Sequence, residues 1–337
     1  MKIRQIFFKK RSLILFSFII IGYFLSRPAP SFKSEIESSA EIRGVWLTNV
    51  GTIFFHHTTL LDNIFAHLAR SNYTHIYVST YGFGGTIYPS QTVKTNPLFL
   101  PPFTDVLKAS KIEAGRQGLK LYAWLEYGLM LSPTNFVAVN NPDWLLKTPE
   151  GKTVVNGFVW LNPDNPEVQE YILDIIEEVA NYKELTGIQL DDHWGVPSQF
   201  GNYINEMNEL TAQVKKSIDK INPNLIFSLS PNPYSFSKNK YNQDWLYWAK
   251  QGYIDEVIIQ IYRDNSKEFE QAIITSEIDK LDESIPVAIG IYAGSFDSYK
   301  HPAEIQKQID ITQNLGYGFS IFCWEARAMG ADFFRDK

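Results

Sequence analysis

Two adjacent carboxylates, Asp191 and Asp192, follow a short apolar run and precede His193 and Trp194. In residues 187–190, just before them, apolar and polar side chains alternate, and this period of two predicts a β-strand. Acids at the carboxyl end of such a strand favour a catalytic site, because open α/β sheets and parallel barrels carry their chemistry there. The alternative is structural, with one Asp capping the next helix and the other paired with a Lys or Arg.

Four acidic residues near predicted strand ends are candidates for catalysis: Asp191, Glu325, Asp192 and Glu126. Glu325 follows an apolar strand beside Trp324, and apolar surroundings raise the pKa of a carboxyl group, which suits a general acid. Its alternative role is a salt bridge to Arg327 or Arg43. Glu126 is a further acid candidate, and its milder role is to accept hydrogen bonds from sugar hydroxyls.

The competing chemistry is a metal hydrolase that uses Asp191, Asp192 and His193 as ligands. Consecutive residues of a strand point to alternating faces, so all three cannot bind one ion. For the same reason Asp192 points away from Asp191 unless the strand has already ended, and a structural role is its alternative. We therefore predict no metal ion and no other cofactor.

Aromatic rings and side-chain amides also follow several strands, and aromatic residues make up 15% of the chain. Flat rings with polar tips suit the faces of sugars, although a core rich in rings is the alternative. The residues predicted to bind substrate are Tyr81, Trp124, His193, Trp194, Asn232, Tyr262 and Trp324. Together with the acids, they favour cleavage of a glycosidic bond, which needs one proton donor and one carboxylate.

The elements that must position these residues alternate between strand-like and helix-like segments from Glu41 onward. The predicted strands are 44–48, 75–79, 119–126, the run before Asp191, 225–230, 257–262, 285–291 and 319–324. The predicted helices are 60–70, 103–117, 166–182, 203–221, 243–251, 267–281 and 302–315. Eight strands separated by helices predict an α/β fold, a (β/α)8 TIM barrel. Because few residues follow the last strand, its helix should be short or missing.

Charge is distributed unevenly along the chain. The formal net charge of the 337 residues is −6, but residues 1–30 contain six basic side chains and no acidic one, which leaves −12 on the rest. Such an acidic body argues against a nucleic-acid partner. The sole cysteine, Cys323, excludes an intramolecular disulfide and a cysteine-cluster metal site.

The N-terminus has the order of a targeting segment, with basic residues followed by the apolar run 12–25. We expect residues 1–27 to be an uncleaved signal anchor, with a cleaved signal peptide as the close alternative. Residues 28–40 are predicted to be a polar tether and residues 41–337 the barrel. Both alternatives place the barrel in the cell envelope, either anchored on the periplasmic side of the inner membrane or secreted.

Six short motifs follow one another along the barrel: RGVWLTNV (43–50), WLEYGLM (124–130), NPDWL (141–145), WLNP (160–163), GIQLDDH (187–193) and SLSPNPY (228–234). In this order they resemble the bacterial glycosyl-hydrolase-like family 10, over nearly all of residues 41–325. The chain also resembles the cyanobacterial branch of that family, with Asp191-Asp192-His193 where other members have Asp-Asp-Tyr.

This resemblance implies a TIM-barrel glycosidase that hydrolyses a cell-envelope polysaccharide, including peptidoglycan strands already stripped of their peptides. Asp191 matches the position of the nucleophile in related α-retaining barrels, so we expect it to act as nucleophile or electrostatic stabiliser. The alternative function is a non-catalytic glycan-binding barrel, which needs the aromatic rim but not two acids at working distance.

Overall fold

The computed structural model describes residues 16–17, 29–32, 41–48, 61–82, 84–97, 105–295 and 298–333. Its centre is a barrel of eight parallel strands, which confirms the predicted (β/α)8 fold. The strands are β1 (Arg43–Leu47), β2 (His75–Gly82), β3 (Lys120–Leu125), β4 (Gly187–Leu190), β5 (Ile226–Leu229), β6 (Glu256–Gln260), β7 (Val287–Tyr292) and β8 (Gly318–Phe322). Because β1 pairs with both β2 and β8, the sheet closes and the barrel has no open edge.

Barrel closure requires a small residue in β1. Gly44 lies in register with His75 of β2 and Ser320 of β8. A Cβ atom on Gly44 would come within 2.7 Å of the Ser320 hydroxyl and 2.9 Å of the Tyr77 ring. Glycine at this position therefore lets the Tyr77 ring fill the barrel interior.

The helices that follow the strands are α1 (Leu61–Arg70), α2 (Val106–Gln117), α3 (Phe136–Asn140), α4 (Pro166–Ala180), α5 (Ile204–Ile221), α6 (Tyr234–Tyr241), α7 (Trp245–Lys250), α8 (Ser266–Ile274), α9 (Pro302–Asn314) and α10 (Trp324–Phe333). The last helix spans 10 residues, as many as α1, so a helix follows the eighth strand and is not missing. The helix predicted at 267–281 is instead divided into α8 and a 3-10 turn, Ile278–Lys280, separated by Glu277 at φ +66°. Between β3 and α4 the chain forms α3 and a small antiparallel pair, Met130–Leu131 with Val159–Trp160.

The helices cover the outside of the barrel with apolar faces. In α1 the buried side chains Leu61, Ile64, Phe65 and Leu68 recur at spacings of three and four, which places them on one face. This face belongs to the large apolar core between the strands and the helices. A smaller apolar cluster fills the inside of the barrel, and Trp46 and Trp124 belong to it.

At the amino-terminal end of the barrel interior, one buried carboxyl group is surrounded by hydroxyls. Glu256 of β6 accepts hydrogen bonds from Tyr77 at 3.0 Å, Ser228 at 2.8 Å and Tyr122 at 2.9 Å. Burial raises the pKa of Glu256, because a carboxylate in the interior loses its hydration, and the three hydroxyl donors oppose that shift. The Glu256 carboxyl group and its three hydroxyl donors therefore form one paired network in the interior.

Part of the segment predicted to be a tether lies against the barrel. The backbone N–H of Ala29 donates to Asp62 of α1 at 2.7 Å, and that of Phe32 donates to Gln117 of α2 at 2.8 Å. Apart from residues 16–17, the predicted anchor, 1–27, lies outside the described residues, and so do residues 28 and 33–40. None of the helices in the described ranges is both long enough and apolar enough to cross a bilayer.

The Glu256 network generates a prediction about stability. Glu256→Ala should lower the free energy of unfolding by about 3 kcal/mol, because three buried hydroxyls lose their acceptor and a cavity forms. Glu256→Gln keeps one acceptor oxygen and should lose only about 1 kcal/mol. Urea denaturation of the full chain, followed by tryptophan fluorescence, measures both. Equal stability of Glu256→Ala and the wild type would contradict a stabilising role for the network.

Candidate active site

A cavity of about 310 Å³ opens at the carboxyl ends of the barrel strands. Among the described residues, its lining consists of Trp46, Trp124, Glu126, Asp191, Asp192, His193, Asn232, Gln260, Tyr262 and Phe322. The structure thus brings together three of the four predicted acids and four of the seven residues predicted to bind substrate. This convergence follows from the parallel barrel, in which all strand ends meet on one rim.

The Asp191 carboxyl group is nearly inaccessible and is held by three N–H donors. Gln260 Nε2 donates to Oδ1 at 2.6 Å, Trp124 Nε1 donates to Oδ2 at 3.2 Å, and the backbone N–H of Asp192 donates to Oδ1 at 2.9 Å. Burial, and then the neighbouring charge of Asp192, raise the pKa of Asp191, whereas the donors favour its ionised form. The three donors therefore fix the orientation of the carboxyl group.

Asp192 and His193 form a polar pair beside this group. Asn232 Nδ2 donates to Asp192 Oδ2 at 2.8 Å, and His193 Nε2 lies 3.7 Å from Asp192 Oδ1. The other imidazole nitrogen of His193 is 3.0 Å from the carbonyl oxygen of Glu126, which accepts when that nitrogen carries a proton. Burial lowers the pKa of His193, but the charges of Asp192 and Asp191 outweigh it, so the pKa is raised overall. A protonated imidazole is thereby favoured between two oxygen acceptors.

Glu126 reaches the cavity from the residue that follows β3. Its Oε2 accepts a hydrogen bond from the Ser79 hydroxyl at 3.2 Å. Burial raises the pKa of Glu126, the nearby His193 lowers it, and Asp192 raises it further, so that the net direction is upward. A raised pKa suits a general acid, because it widens the pH range over which the carboxyl group carries its proton.

Glu325 is not among the described residues that line the cavity. Because α10 begins at Trp324, Glu325 lies in the first turn of a helix, and its Oε1 accepts hydrogen bonds from the backbone N–H and hydroxyl of Thr48 at 2.9 and 3.1 Å. Burial raises the pKa of Glu325 to about 7. The predicted elevation of the pKa is therefore present, but the carboxyl group faces the end of β1.

Three residues predicted to bind substrate lie elsewhere. Tyr81 is buried, and its hydroxyl is 2.8 Å from that of Tyr171, whereas Trp194 is buried and donates to Thr211 of α5 at 3.0 Å. Trp324, half-buried at the start of α10, is outside the described lining. Tyr81 is the penultimate residue of β2 and Trp194 follows the end of β4 by four residues, and both rings belong to the large core between the strands and the helices.

Sequence reasoning missed three residues of the cavity. Trp46 and Gln260 lie inside strands, a position that also suits a core residue, and neither they nor Phe322 are among the residues predicted to bind substrate. The centroids of the Trp46 and Trp124 rings are 6.5 Å apart, and Phe322 lies 6.1 Å from Trp46, so these rings form one wall. Their positions near the carboxyl ends of β1, β6 and β8 could have identified these residues from the sequence.

The strand does not continue through Asp192, as the prediction against a shared metal ion requires, because β4 ends at Leu190. One donor atom from each of Asp191, Asp192 and His193 lies within 4.8 Å of the others, so the geometric reason for that prediction is wrong. Both oxygens of Asp191 already accept N–H donors, and Asp192 accepts from Asn232. Hydrogen bonds to protein groups thus hold this cluster in place.

A closed (β/α)8 barrel with acids, amides and aromatic rings at its carboxyl-terminal rim has the architecture of a glycoside-hydrolase-like protein. The chain belongs to the glycosyl hydrolase-like 10 family, whose pattern matches residues 41–208 and 203–311. The resemblance inferred from the six motifs is thereby confirmed.

Two relatives are described as glycosyl hydrolases. Glycosyl hydrolase DigH of Escherichia coli K12 is 24% identical over 300 residues, which cover 67% of this chain and 66% of that protein. Glycosyl hydrolase YngK of Bacillus subtilis is 23% identical over 301 residues, which cover 74% of this chain and 58% of that protein. The chain therefore spans less than two thirds of the length of these relatives.

Solved structures share the fold. The glycoside hydrolase domain of PgaB (BpsB) from Bordetella bronchiseptica superimposes with a TM-score of 0.66 at 12% identity, covering 87% of this chain and 96% of that one. Alpha-L-fucosidase isoenzyme 2 from Paenibacillus thiaminolyticus gives a TM-score of 0.62 at 15% identity and covers 83% and 45%. At these identities the likeness concerns the barrel alone.

The buried Glu325 predicts a dependence of stability on pH. Its pKa rises from 4.5 in the unfolded chain to about 7 in the folded protein, so stability should fall as pH rises through that window. Glu325→Gln cannot ionise, and its free energy of unfolding relative to the wild type should increase by roughly 3 kcal/mol between pH 4.5 and 8. Urea denaturation across this range measures the difference.

The matched control is Glu283→Gln, which removes an exposed carboxyl group and should follow the wild-type profile. A constant difference between Glu325→Gln and the wild type at all pH values would contradict the elevated pKa.

Proposed function

We propose that this protein is a glycosidase that hydrolyses O-glycosidic bonds of a cell-envelope polysaccharide, with peptide-free peptidoglycan strands as its substrate. The observation that carries the proposal is the cavity in which Asp191, Asp192 and Glu126 share one rim with an aromatic wall. Glycoside cleavage needs two carboxyl groups in different environments, and these acids differ in burial and in hydrogen bonding. The names of the curated relatives, both glycosyl hydrolases, support the same class.

In this proposal Asp191 acts on the anomeric carbon, as nucleophile or as electrostatic stabiliser of the developing positive charge. Gln260, Trp124 and the backbone N–H of Asp192 hold its carboxyl group, so little reorganisation accompanies the reaction. A positively charged transition state beside this group favours ionised Asp191, which offsets the effect of burial on its pKa.

Glu126 is the proton donor in this proposal. It lines the same cavity as Asp191, and burial raises its pKa. The Asp192 carboxyl group instead accepts a hydrogen bond from Asn232 Nδ2 and lies 3.7 Å from His193 Nε2. The geometry gives Glu325 a weaker case, since its carboxyl group bonds to Thr48 rather than facing the cavity.

The proposal predicts that the full chain releases short fragments from peptide-free peptidoglycan strands, detected by mass spectrometry. Asp191→Asn should lower kcat about 10²-fold or more, because it removes only the ionisable group. The matched control is Asp279→Asn, which changes an exposed Asp that is not among the described residues lining the cavity, and it should retain full activity. Binding of strands without any product from the wild type would instead identify a non-catalytic glycan-binding barrel.

Rates of hydrolysis measured on two kinds of glycoside identify the proton donor. Glu126→Gln should slow glycosides with poor leaving groups far more than activated aryl glycosides, because good leaving groups need little protonation. Equal slowing of both substrates would return the role to Asp192 or Glu325.

We also propose that residues 1–27 hold the barrel outside the cytoplasm, on the periplasmic side of the inner membrane. The support is the order of a basic segment followed by the apolar run 12–25. Protease added to intact spheroplasts should digest residues 41–337, with lysed spheroplasts as the control. Full protection in intact spheroplasts would contradict this location.

A further inference from the structure

A second cavity, of about 630 Å³, opens beside the catalytic cavity on the same rim. One wall is formed by residues 84–95 after β2, and the other by residues 132–144 after β3. Tyr127 lines this cavity and its chain neighbour Glu126 lines the catalytic one, so the two cavities meet at the end of β3. We propose that this second cavity is a subsite that binds a carboxylate-bearing sugar of the same glycan strand. The inference rests on the proposed function and names a determinant of its substrate class.

The base of the second cavity is a connected set of aromatic side chains. The Tyr127 ring packs against the Tyr81 ring at 5.9 Å, the Tyr81 hydroxyl bonds to that of Tyr171 at 2.8 Å, and the Trp144 ring lies 5.5 Å from the Tyr171 ring. Tyr127, Tyr171 and Trp144 all line the cavity. Flat rings fixed by their neighbours can carry a sugar face at little cost in conformational entropy. The buried Tyr81 therefore supports this cavity rather than the catalytic one.

The wall formed by residues 84–95 is held rigidly by a single carboxylate. Glu178 of α4 accepts hydrogen bonds from the Ser90 hydroxyl at 2.6 Å, the Gln91 N–H at 2.8 Å, and the Thr92 N–H and hydroxyl at 3.0 Å each. These donors outweigh the effect of burial and lower the pKa of Glu178. A wall fixed in this way is preorganised for a ligand, because binding does not have to order it.

The charge of the lining indicates which sugar fits. The described residues that line the cavity include no Asp or Glu and one cation, Lys94, although the protein as a whole is acidic. The remaining polar groups are hydroxyls and amides, such as Asn135 and Asn141, which suit sugar hydroxyls. Among the described lining residues, a sugar that carries a carboxylate would meet one attractive charge, that of Lys94, and no carboxylate.

Lys94 is placed to take part in this recognition. Its Nζ lies 4.2 Å from the centroid of the Phe136 ring, so the contact joins the two walls. Phe136 is 56% exposed, and a cation–π contact at an exposed site contributes only about 0.5–1 kcal/mol. A carboxylate can therefore replace the ring as the partner of Lys94 and leave the ring free to stack on the sugar.

Peptide-free peptidoglycan fits this chemistry. Alternate sugars of such a strand carry a lactyl group whose carboxylate is free, whereas in the intact polymer the same carboxyl group is an amide. A cationic subsite next to the catalytic cavity therefore favours the stripped strand over the intact one.

The test compares peptide-free strands with the same strands after their carboxyl groups have been reduced to alcohols. Binding is measured by calorimetry with the full chain in an Asp191→Asn background, so that turnover does not interfere. Lys94→Gln should weaken binding of the acidic strand about 5-fold and leave the reduced strand unaffected. Phe136→Ala should weaken both, and Lys267→Gln, the matched loss of an exposed lysine on α8, should weaken neither.

Each result decides the inference independently of the proposed function. The subsite would be overturned if the chain with Lys94 bound acidic and reduced strands equally, or if Lys94→Gln had no effect on binding. It would also be overturned if no strand bound at all. The predicted pattern without hydrolysis by the wild type would support the subsite and refute the glycosidase. Both Lys94 and Phe136 are exposed, so thermal unfolding should show that their variants fold normally.

Discussion

The arrangement of the rim depends on one constraint, the burial of the Asp191 carboxyl group at the top of a closed barrel. A carboxylate without partners in that position would cost several kcal/mol or take up a proton. Gln260 and Trp124 supply donors from two other strands, and the backbone of Asp192 supplies the third. Donors on β3 and β6 thus fix the orientation of the Asp191 carboxyl group, which is therefore held as rigidly as the barrel.

Hydrogen bonds between buried side chains continue from the rim into the barrel interior. Trp46 donates to Gln189 at 2.7 Å, Gln189 donates to Ser228 at 3.1 Å, and Ser228 donates to the buried Glu256. Gln189 lies in β4, and Asp191 directly follows that strand, so a chain of hydrogen bonds runs from the interior towards the site. Because each of these groups is paired, the polar interior adds rigidity instead of a desolvation penalty.

The two cavities are built from different parts of the fold. Strand ends hold the acids and the aromatic wall of the first cavity, where, under the proposed function, small displacements would disturb the chemistry. The connections after β2 and β3 form the second cavity, and α4 restrains one of them through Glu178. Under the proposed function, these connections select the sugar that is bound, whereas the strand ends carry the acids.

The sequence by itself determined the fold class, the eight strands and the position of the Asp191-Asp192 pair, because period-two alternation and helix periodicity are local properties. It also indicated correctly that Glu325 lies in surroundings that raise its pKa. Only the tertiary structure decided that Glu325 faces Thr48 while Glu126 faces the cavity. Side-chain direction after a strand depends on where the next helix begins, and α10 begins at Trp324, one residue before Glu325. The roles of Gln260 and Trp46 were likewise hidden, since a donor for a buried carboxyl group is identified by its distance in space across the barrel.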